Sequence, residues 1–370
     1  MINAAIVGLG RWGQNLVNSV HPTAIDAAPS TEIRFTAGVV RDPSKTRDYA
    51  EAHDFPLHDN LEAVLTDPAI DALVLATPHS VHAEQIIAAA EAGKHVFTDK
   101  PFTLTTASAL AAAQACEDNN VTLAVGYNWR FQPALRQIKQ MLDDGRLGKL
   151  LHMEGNFCGP SVYWYPEDHW RQSADEGPAG GMTGRGVHLL DAMLHLAAPE
   201  ARANRVYTRS SRRALTYGID DTTTTLLEFT EEGGPPGAPG APGPDATIST
   251  VIATAETWRL QVFGTNGWAE VGDTDHLHTW QLRTCLLNQA NLREKTTPQL
   301  TTYPATSTER PDHERDDPRH TFSARSYEWR LHSAPDAIER QLATEVARSG
   351  SRHAFVVCSP SIAAKTNTID

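Results

Sequence analysis

The run Ala5-Ile-Val-Gly8-Leu9-Gly10-Arg11-Trp12-Gly13 sets three glycines at the spacing Gly-x-Gly-x-x-Gly, directly after a short apolar segment. That spacing suits the binding of a dinucleotide pyrophosphate. Gly8 permits a tight turn, Gly10 lets backbone approach the anion, and Gly13 lets the next helix pack close to the strand. The N–H groups at the helix start then attract the negative charge. Such a triplet also occurs by chance in turns. Its weight here comes from context, a strand over residues 3–7 before it and a helical stretch over 14–20 after it. Two later stretches carry groups able to hold or move a proton. In Phe97-Thr-Asp99-Lys100-Pro101 a lysine follows a strand, and ligands of open α/β sheets bind at the carboxyl ends of strands. Lys100 there could polarise a substrate oxygen, though the spacing alone equally describes a surface lysine before a proline turn. In 180–191 (GGMTGRGVHLLD) glycines pass into an amphipathic helix with His188 near its start and Asp191 three residues on. An imidazole exchanges protons near neutral pH, but spacing does not separate this from a satisfied helix histidine.

The elements that must position these groups follow from patterning. Strands are expected over 3–7, 33–40, 72–76, 95–98 and 122–126, and helices over 14–20, 44–53, 61–65, 81–92 and 106–119. Alternation of helices with nearly all-apolar strands predicts a doubly wound parallel sheet covered on both faces. Asp42-Pro43 reads as a helix opening, with Asp as cap and Pro at the first helical position. After residue 130 the texture changes. A helix over 133–143 precedes Thr- and Val-rich stretches at 150–157, 203–208, 222–229, 246–255, 258–262 and 269–271, an antiparallel sheet of an α+β class. The expected organisation is a dinucleotide-binding domain over 1–128, an open-sheet domain over 129–335, and a C-terminal helix (337–349) with a disordered tail (359–370). The Pro/Gly run at 233–244 is expected to form a floppy hairpin loop.

Composition bounds the partners. The 370 residues suffice for two cores, and a formal net charge of −13 repels nucleic acid and anionic membranes. Four scattered cysteines, Cys116, Cys158, Cys285 and Cys358, suit reduced thiols better than disulfides or a metal site. With no signal-like start and no apolar run of spanning length, a cytoplasmic location is expected.

Taken in order, GLGRWG, ATPHSVH (76–82), FTDKP (97–101), GYNWRFQP (126–133), GGMTGRGVHLLD (180–191) and WRLQVFGTNG (258–267) resemble the glucose–fructose oxidoreductase / inositol dehydrogenase (Gfo/Idh/MocA) family over about residues 1–310. The resemblance implies an N-terminal Rossmann domain and a C-terminal open-faced, mainly antiparallel sheet that builds homodimers or homotetramers. It implies NAD(P)-dependent hydride transfer at a carbinol carbon of a sugar, polyol or other cyclic hydroxylated compound.

Carried over residue by residue, Lys100 matches the lysine of the family's Glu-Lys-Pro motif, with Asp99 in place of the glutamate, and His188 matches its catalytic histidine. The family commonly has an aspartate four residues before that histidine, where this chain has Gly184, so the Lys-Asp-His set is incomplete. Gly8, Leu9, Gly10, Arg11, Trp12 and Gly13 would surround the pyrophosphate. Thr77, Pro78 and His82 match a Thr-Pro-x-x-x-His segment along the cofactor, with His79 where asparagine is common and Asp99 and Lys100 beside it. NAD-specific sites end the second strand with an acid on the ribose. This chain has Val40 there and Arg41 next, which removes repulsion of a 2′-phosphate and offers it a guanidinium. That favours NADP over NAD, against a competing reading in which Asp42 serves the ribose. Tyr127, Asn128, Arg130, Trp170, Arg171, Arg185 and His188 are candidate contacts to a small-molecule substrate, and no metal is expected. The stretch 163–171 reads either as a wall for a ring-shaped ligand or as interface packing. Two alternatives stay open: a cofactor-binding regulatory protein without turnover, which Gly184 admits, and a dehydrogenase of aromatic-derived dihydrodiols, to which 163–171 points.

Overall fold

The structure, a computed structural model of the chain, describes residues 1–20, 30, 32–216, 218–231, 241–274, 276 and 279–304. The described residues divide into two compact units, one of residues 1–126 and the other of residues 127–304. In the first, strands and helices alternate: β1 (Ile2–Val7), α1 (Arg11–Val20), β2 (Ile33–Val39), α2 (Arg47–Ala52), β3 (Leu57–His58), α3 (Glu62–Leu65), β4 (Ala72–Leu75), α4 (His82–Glu91), β5 (His95–Asp99), α5 (Thr106–Asp118) and β6 (Leu123–Gly126). The strands form one six-stranded parallel sheet in the order β3-β2-β1-β4-β5-β6, as the alternation predicted. Ala4, Ala5, Ile6, Leu73 and Leu75 are almost wholly buried, which is what strands covered on both faces require. Register places Val7 beside Val39 and Leu75, and Leu75 beside Thr98. All strands therefore release the chain along one edge.

Asp42 caps as its sequence position suggested, its carboxylate accepting from Ser44 N at 3.1 Å and Ser44 Oγ at 2.6 Å. The expected helix over 44–53 is divided, however, into a 3-10 turn (Pro43–Lys45) and α2, separated by Thr46 at φ −130°. β3 has only two residues, too few to leave a period in the sequence.

The second unit contains α6 (Pro133–Asp143), β7 (Leu150–Cys158), α7 (Val187–Ala197), β8 (Ala201–Ser211), β9 (Thr222–Glu231), β10 (Pro242–Val251), β11 (Thr257–Gly264), β12 (Gly267–Asp273), β13 (Thr279–Leu286) and β14 (Gln299–Pro304). Its eight strands lie in the order β14-β13-β12-β11-β7-β10-β9-β8, antiparallel except for the parallel pair β7–β10. Apolar residues of α6 (Leu135, Ile138, Met141) and α7 (Leu189, Met193) share one core with the sheet residues Met153, Phe157, Ile248 and Leu260. At its centre Trp129, Trp258 and Trp280 lie with ring centroids 4.4–5.3 Å apart. The expectation named no strand after residue 271, and β13 and β14 correct it. β10 begins at Pro242, three residues inside the expected loop: Pro242 pairs with Thr230 of β9, a register shift follows, and pairing with β7 starts only at Asp245, past both prolines. Residues 232–240, the expected helix over 337–349 and the tail over 359–370 lie outside the described residues. Among the described residues no helix is long and apolar enough to cross a membrane.

Two contacts fix α7 on this sheet. Gly155 of β7 lets the helix approach, since a Cβ there would stand 2.7 Å from Leu189 Cδ2 and 3.0 Å from Met193 Cε. Beside it, Arg130 Nε and Nη2 donate to the two carboxylate oxygens of buried Asp191 at 2.8 and 2.6 Å. Burial pushes that carboxyl upward from its ordinary range, while the guanidinium's charge and hydrogen bonds pull it back. Gly155→Val is expected to cost about 1–3 kcal/mol by overpacking, measured by denaturant unfolding; an unchanged midpoint would count against the close approach. Asp191→Asn, which leaves Arg130 charged without its anion, is expected to cost about 3–5 kcal/mol. Adding Arg130→Met should recover part of that loss, and strictly additive losses in the double-mutant cycle would contradict the pairing.

Candidate functional site

The carboxyl edge of the parallel sheet gathers the glycine turn, the end of β2, the end of β4 and the end of β5. Gly8 takes φ +95°, and a Cβ on it would meet the Ala76 carbonyl oxygen at 2.7 Å. A Cβ on Gly13 would stand 1.9 Å from the Gly8 carbonyl oxygen, so only glycine lets α1 start this close to β1. At Gly10 the added atom meets nothing within 4 Å. A turn closed behind and open in front at the start of a ten-residue helix is a cradle that fits a pyrophosphate. Arg11 is exposed at the helix start and Trp12 is half-buried against the core. Leu9 is buried in that core, so only its backbone can face a ligand.

At the end of β2, half-buried Val40 donates its N–H to the His58 carbonyl at 2.9 Å, and Arg41 is exposed. Asp42 is occupied by Ser44, whose hydroxyl chiefly holds its carboxyl below the ordinary range, and its cation is Lys45 at 3.5 Å. After β4, Thr77 Oγ1 donates to Gln85 Oε1 at 2.6 Å and Pro78 precedes the turn His79–Val81. At the end of β5, Asp99 and the following Lys100 are half-buried. His82, expected against a cofactor, is 0% exposed, with Nδ1 3.0 Å from the Pro101 carbonyl oxygen and Nε2 3.1 Å from that of Thr77; a neutral ring donates to one of the two. Its ring is therefore closed off from any ligand at the surface.

In the second unit His188 is the second residue of α7, 8% exposed, its ring stacked on Trp129 at 5.4 Å and 17° and lying 6.3 Å from Phe157. The turn before α7, Met182–Gly186, is π-helical. Tyr127 is buried, and Asn128 Oδ1 is a buried acceptor that no donor among the described residues reaches. Two arginines expected on a substrate are engaged within the unit. Most of the Arg130 fork is held by Asp191. Arg185, 9% exposed, donates from Nη1 to the Cys158 carbonyl (2.9 Å) and Glu256 (2.7 Å), and lies 4.7 Å over the Phe157 ring. Sequence reasoning missed Glu256 and also Gly159, where a Cβ would stand 2.3 Å from Glu256 Oε2. No local spacing links residues 71 positions apart. Arg171 lies 4.1 Å over Trp170 and 5.5 Å over Tyr165, whose ring stacks on His169 at 4.4 Å. Burial, reinforced by Arg171, pushes the His169 imidazole down from its ordinary range. Among the described residues no group of three or more His, Cys, Asp or Glu could hold a metal ion.

Comparison with known proteins agrees with these features. The description "oxidoreductase family, NAD-binding Rossmann fold" matches residues 2–127, and the GFO/IDH/MocA C-terminal domain matches residues 135–270. The chain is 29% identical over 288 residues to scyllo-inositol 2-dehydrogenase (NAD(+)) of Bacillus subtilis (strain 168), covering 75% of each. It is 27% identical over 270 residues to trans-1,2-dihydrobenzene-1,2-diol dehydrogenase of Sus scrofa, covering 71% of this chain and 74% of that one. A solved levoglucosan dehydrogenase, in complex with NADH and levoglucosan, shares the fold with a TM-score of 0.72 at 19% identity, covering 98% of this chain and 93% of that one. With one family matched on both units, the chain belongs to the Gfo/Idh/MocA family of NAD-binding oxidoreductases.

Proposed function

We propose that the chain oxidises a secondary alcohol of a sugar, polyol or related cyclic hydroxylated compound, or reduces the matching carbonyl, with NADP(H) preferred over NAD(H). One observation carries the reading: the carboxyl edge of β1, β4 and β5 bears the Gly8–Gly13 turn, Thr77-Pro78 and Lys100 together. Relatives that act on inositol and on dihydrodiols support it. Amides of the glycine turn and the start of α1 would hold the pyrophosphate, with Gly8, Leu9, Gly10, Arg11, Trp12 and Gly13 around it and Thr77, Pro78, His79 and Asp99 alongside. When bound, the coenzyme supplies the hydride acceptor or donor. Lys100 would stabilise negative charge on the substrate oxygen, and His188 would take or return its proton. Tyr127, Asn128, Trp170 and Arg171 remain candidate substrate contacts.

The preference for NADP(H) rests on the end of β2. Asp42 is occupied as a cap, which removes it as a ribose acid, and exposed Arg41 can pair with a 2′-phosphate. Gly184 does not oppose catalysis on packing grounds, since a Cβ there meets nothing within 4 Å. A second reading, a dihydrodiol substrate, is favoured by exposed Tyr163 and Trp164 next to the Tyr165–Trp170 stack. We infer in addition a cytoplasmic homo-oligomer joined through the eight-stranded sheet. The free buried thiols of Cys116, Cys158 and Cys285, and Val206 and Tyr207 exposed on edge strand β8, are in keeping with it.

Turnover of scyllo-inositol, levoglucosan, glucose or trans-1,2-dihydrobenzene-1,2-diol with NADP(+) or NAD(+), followed by nicotinamide absorbance, is the direct test. Lys100→Met and His188→Ala are each expected to lower kcat about 10²–10⁴-fold while coenzyme still binds. A wild-type rate in either variant removes that residue from the chemistry. Coenzyme uptake without turnover of any of the four compounds would favour the regulatory alternative. Arg41→Ala is expected to weaken NADPH about tenfold or more relative to NADH by titration, and an unchanged ratio sinks the NADP preference.

A further inference from the structure

The turn between β1 and α1 sets the directions of its amides by different means. Gly8 spends its N–H on the Val39 carbonyl of β2 at 2.9 Å. Gly10 borders open space, and its N–H goes to no backbone carbonyl among the described residues. In a trans peptide the C=O and the next N–H point opposite ways in one plane, so the Leu9 carbonyl decides where the Gly10 N–H points. That carbonyl lies outside the helical ladder, in which Gln14 N reaches Gly10 O at 3.0 Å. Its donor is the half-buried side chain of Gln14, with Nε2 3.2 Å from Leu9 O. A carbonyl oxygen only accepts, so the Gln14 amide must present its nitrogen there.

We propose that Gln14 is a positioning residue: its amide pins the Leu9 carbonyl and so turns the Gly10 N–H to the opposite side, as a donor to a coenzyme pyrophosphate. The proposal rests on the reading of the glycine turn as the pyrophosphate site. Packing alone does not set this peptide. The Leu9 side chain is fixed in the core, but the plane between Leu9 and Gly10 can still swing about its two flanking bonds, because glycine admits many backbone angles. With the Gln14 bond lost, the donor faces the anion only part of the time, and affinity falls by that fraction. Gly8 is the contrast, since the sheet takes its N–H and no side chain is needed.

Gln14→Met in the full chain keeps the side-chain length and a good helix former while removing the donor. NADPH affinity, followed by nicotinamide fluorescence, is expected to fall about tenfold, the size of one hydrogen bond to a charged group. Nuclear magnetic resonance reads the peptide itself. The sequence has two Leu-Gly steps, 9–10 and 147–148, so labelling leucine carbonyls with carbon-13 and glycine with nitrogen-15 leaves one signal from each. Gly10→Ala, whose Cβ would meet nothing within 4 Å, assigns the first by removing it. In the wild type NADPH is expected to move the Gly10 amide proton downfield and leave that of Gly148 in place. In free Gln14→Met the Leu9 carbonyl carbon is expected to move upfield, as a carbonyl that loses a donor does. Wild-type affinity in this variant overturns the proposal, and so does weakened binding with the Leu9 carbonyl unmoved. If Gln14→Met does not fold, Gln14→Leu takes its place with the same expectations; if neither folds, the wild type decides, and a Gly10 amide unmoved by NADPH overturns the proposal. A wild-type chain that takes up neither NADPH nor NADH would discard the pyrophosphate site as a whole, so the two failures are distinguishable.

Discussion

The constraint on which the first unit depends is the contact between the start of α1 and the end of β1. With 1.9 Å between a would-be Cβ at residue 13 and the Gly8 carbonyl oxygen, no side chain fits, and the helix meets the strand through backbone alone. Gly8 turns the chain at φ +95° under the Ala76 carbonyl, so the same turn is wedged against the end of β4. Leu9, between the two glycines, drops into the core and anchors the loop from below. What remains outward is a row of amides with open space at Gly10. An anion site of this kind costs no side-chain ordering when the ligand arrives, because sheet packing has already fixed the donors.

The second unit solves a different problem, holding one helix start still over a sheet. α7 is seated by Gly155 below and tied by Arg130 to Asp191 one turn beyond His188. Trp129, next to Arg130 in sequence, stacks on the His188 ring and also packs on Trp258 and Trp280. The imidazole is thus placed by the same aromatic cluster that forms the core. Arg185, three residues before His188, is held by Glu256 and lies over the Phe157 ring. Charged groups near this helix are mostly paired with each other, and the apolar ring faces hold the geometry.

Much of this was legible in the sequence, for identifiable reasons. The parallel sheet shows because strands buried on both faces are apolar throughout, and Asp42-Pro43 shows because a cap acts on its own turn. Long-range pairings do not show. Arg130 and Arg185 look like ligand groups in a linear reading because sequence reports residue type but not where a guanidinium points, and their carboxylates lie 61 and 71 residues away. His82 was expected along the cofactor, and its full burial, with the ring turned inward toward backbone carbonyls, was not legible. β13 and β14 were missed for a similar reason. Outer strands of an open sheet carry Gln, Thr and Arg on their solvent side, and Leu300 of β14 is itself exposed, so inside-outside alternation is blurred.

Gly184 stands apart from the other glycines around it. A Cβ at Gly181 would strike Ile252 and Thr250, and one at Gly186 would stand 2.2 Å from Met182 Sδ. Those two positions need glycine for the π-helical turn to lie against β10, whereas the space at 184 is open. Packing therefore tolerates an acidic side chain at 184 without requiring its absence. The missing carboxylate is a chemical feature of this chain and not a by-product of how it folds. The His188 ring rests on Trp129, a contact that no side chain at 184 is needed to make.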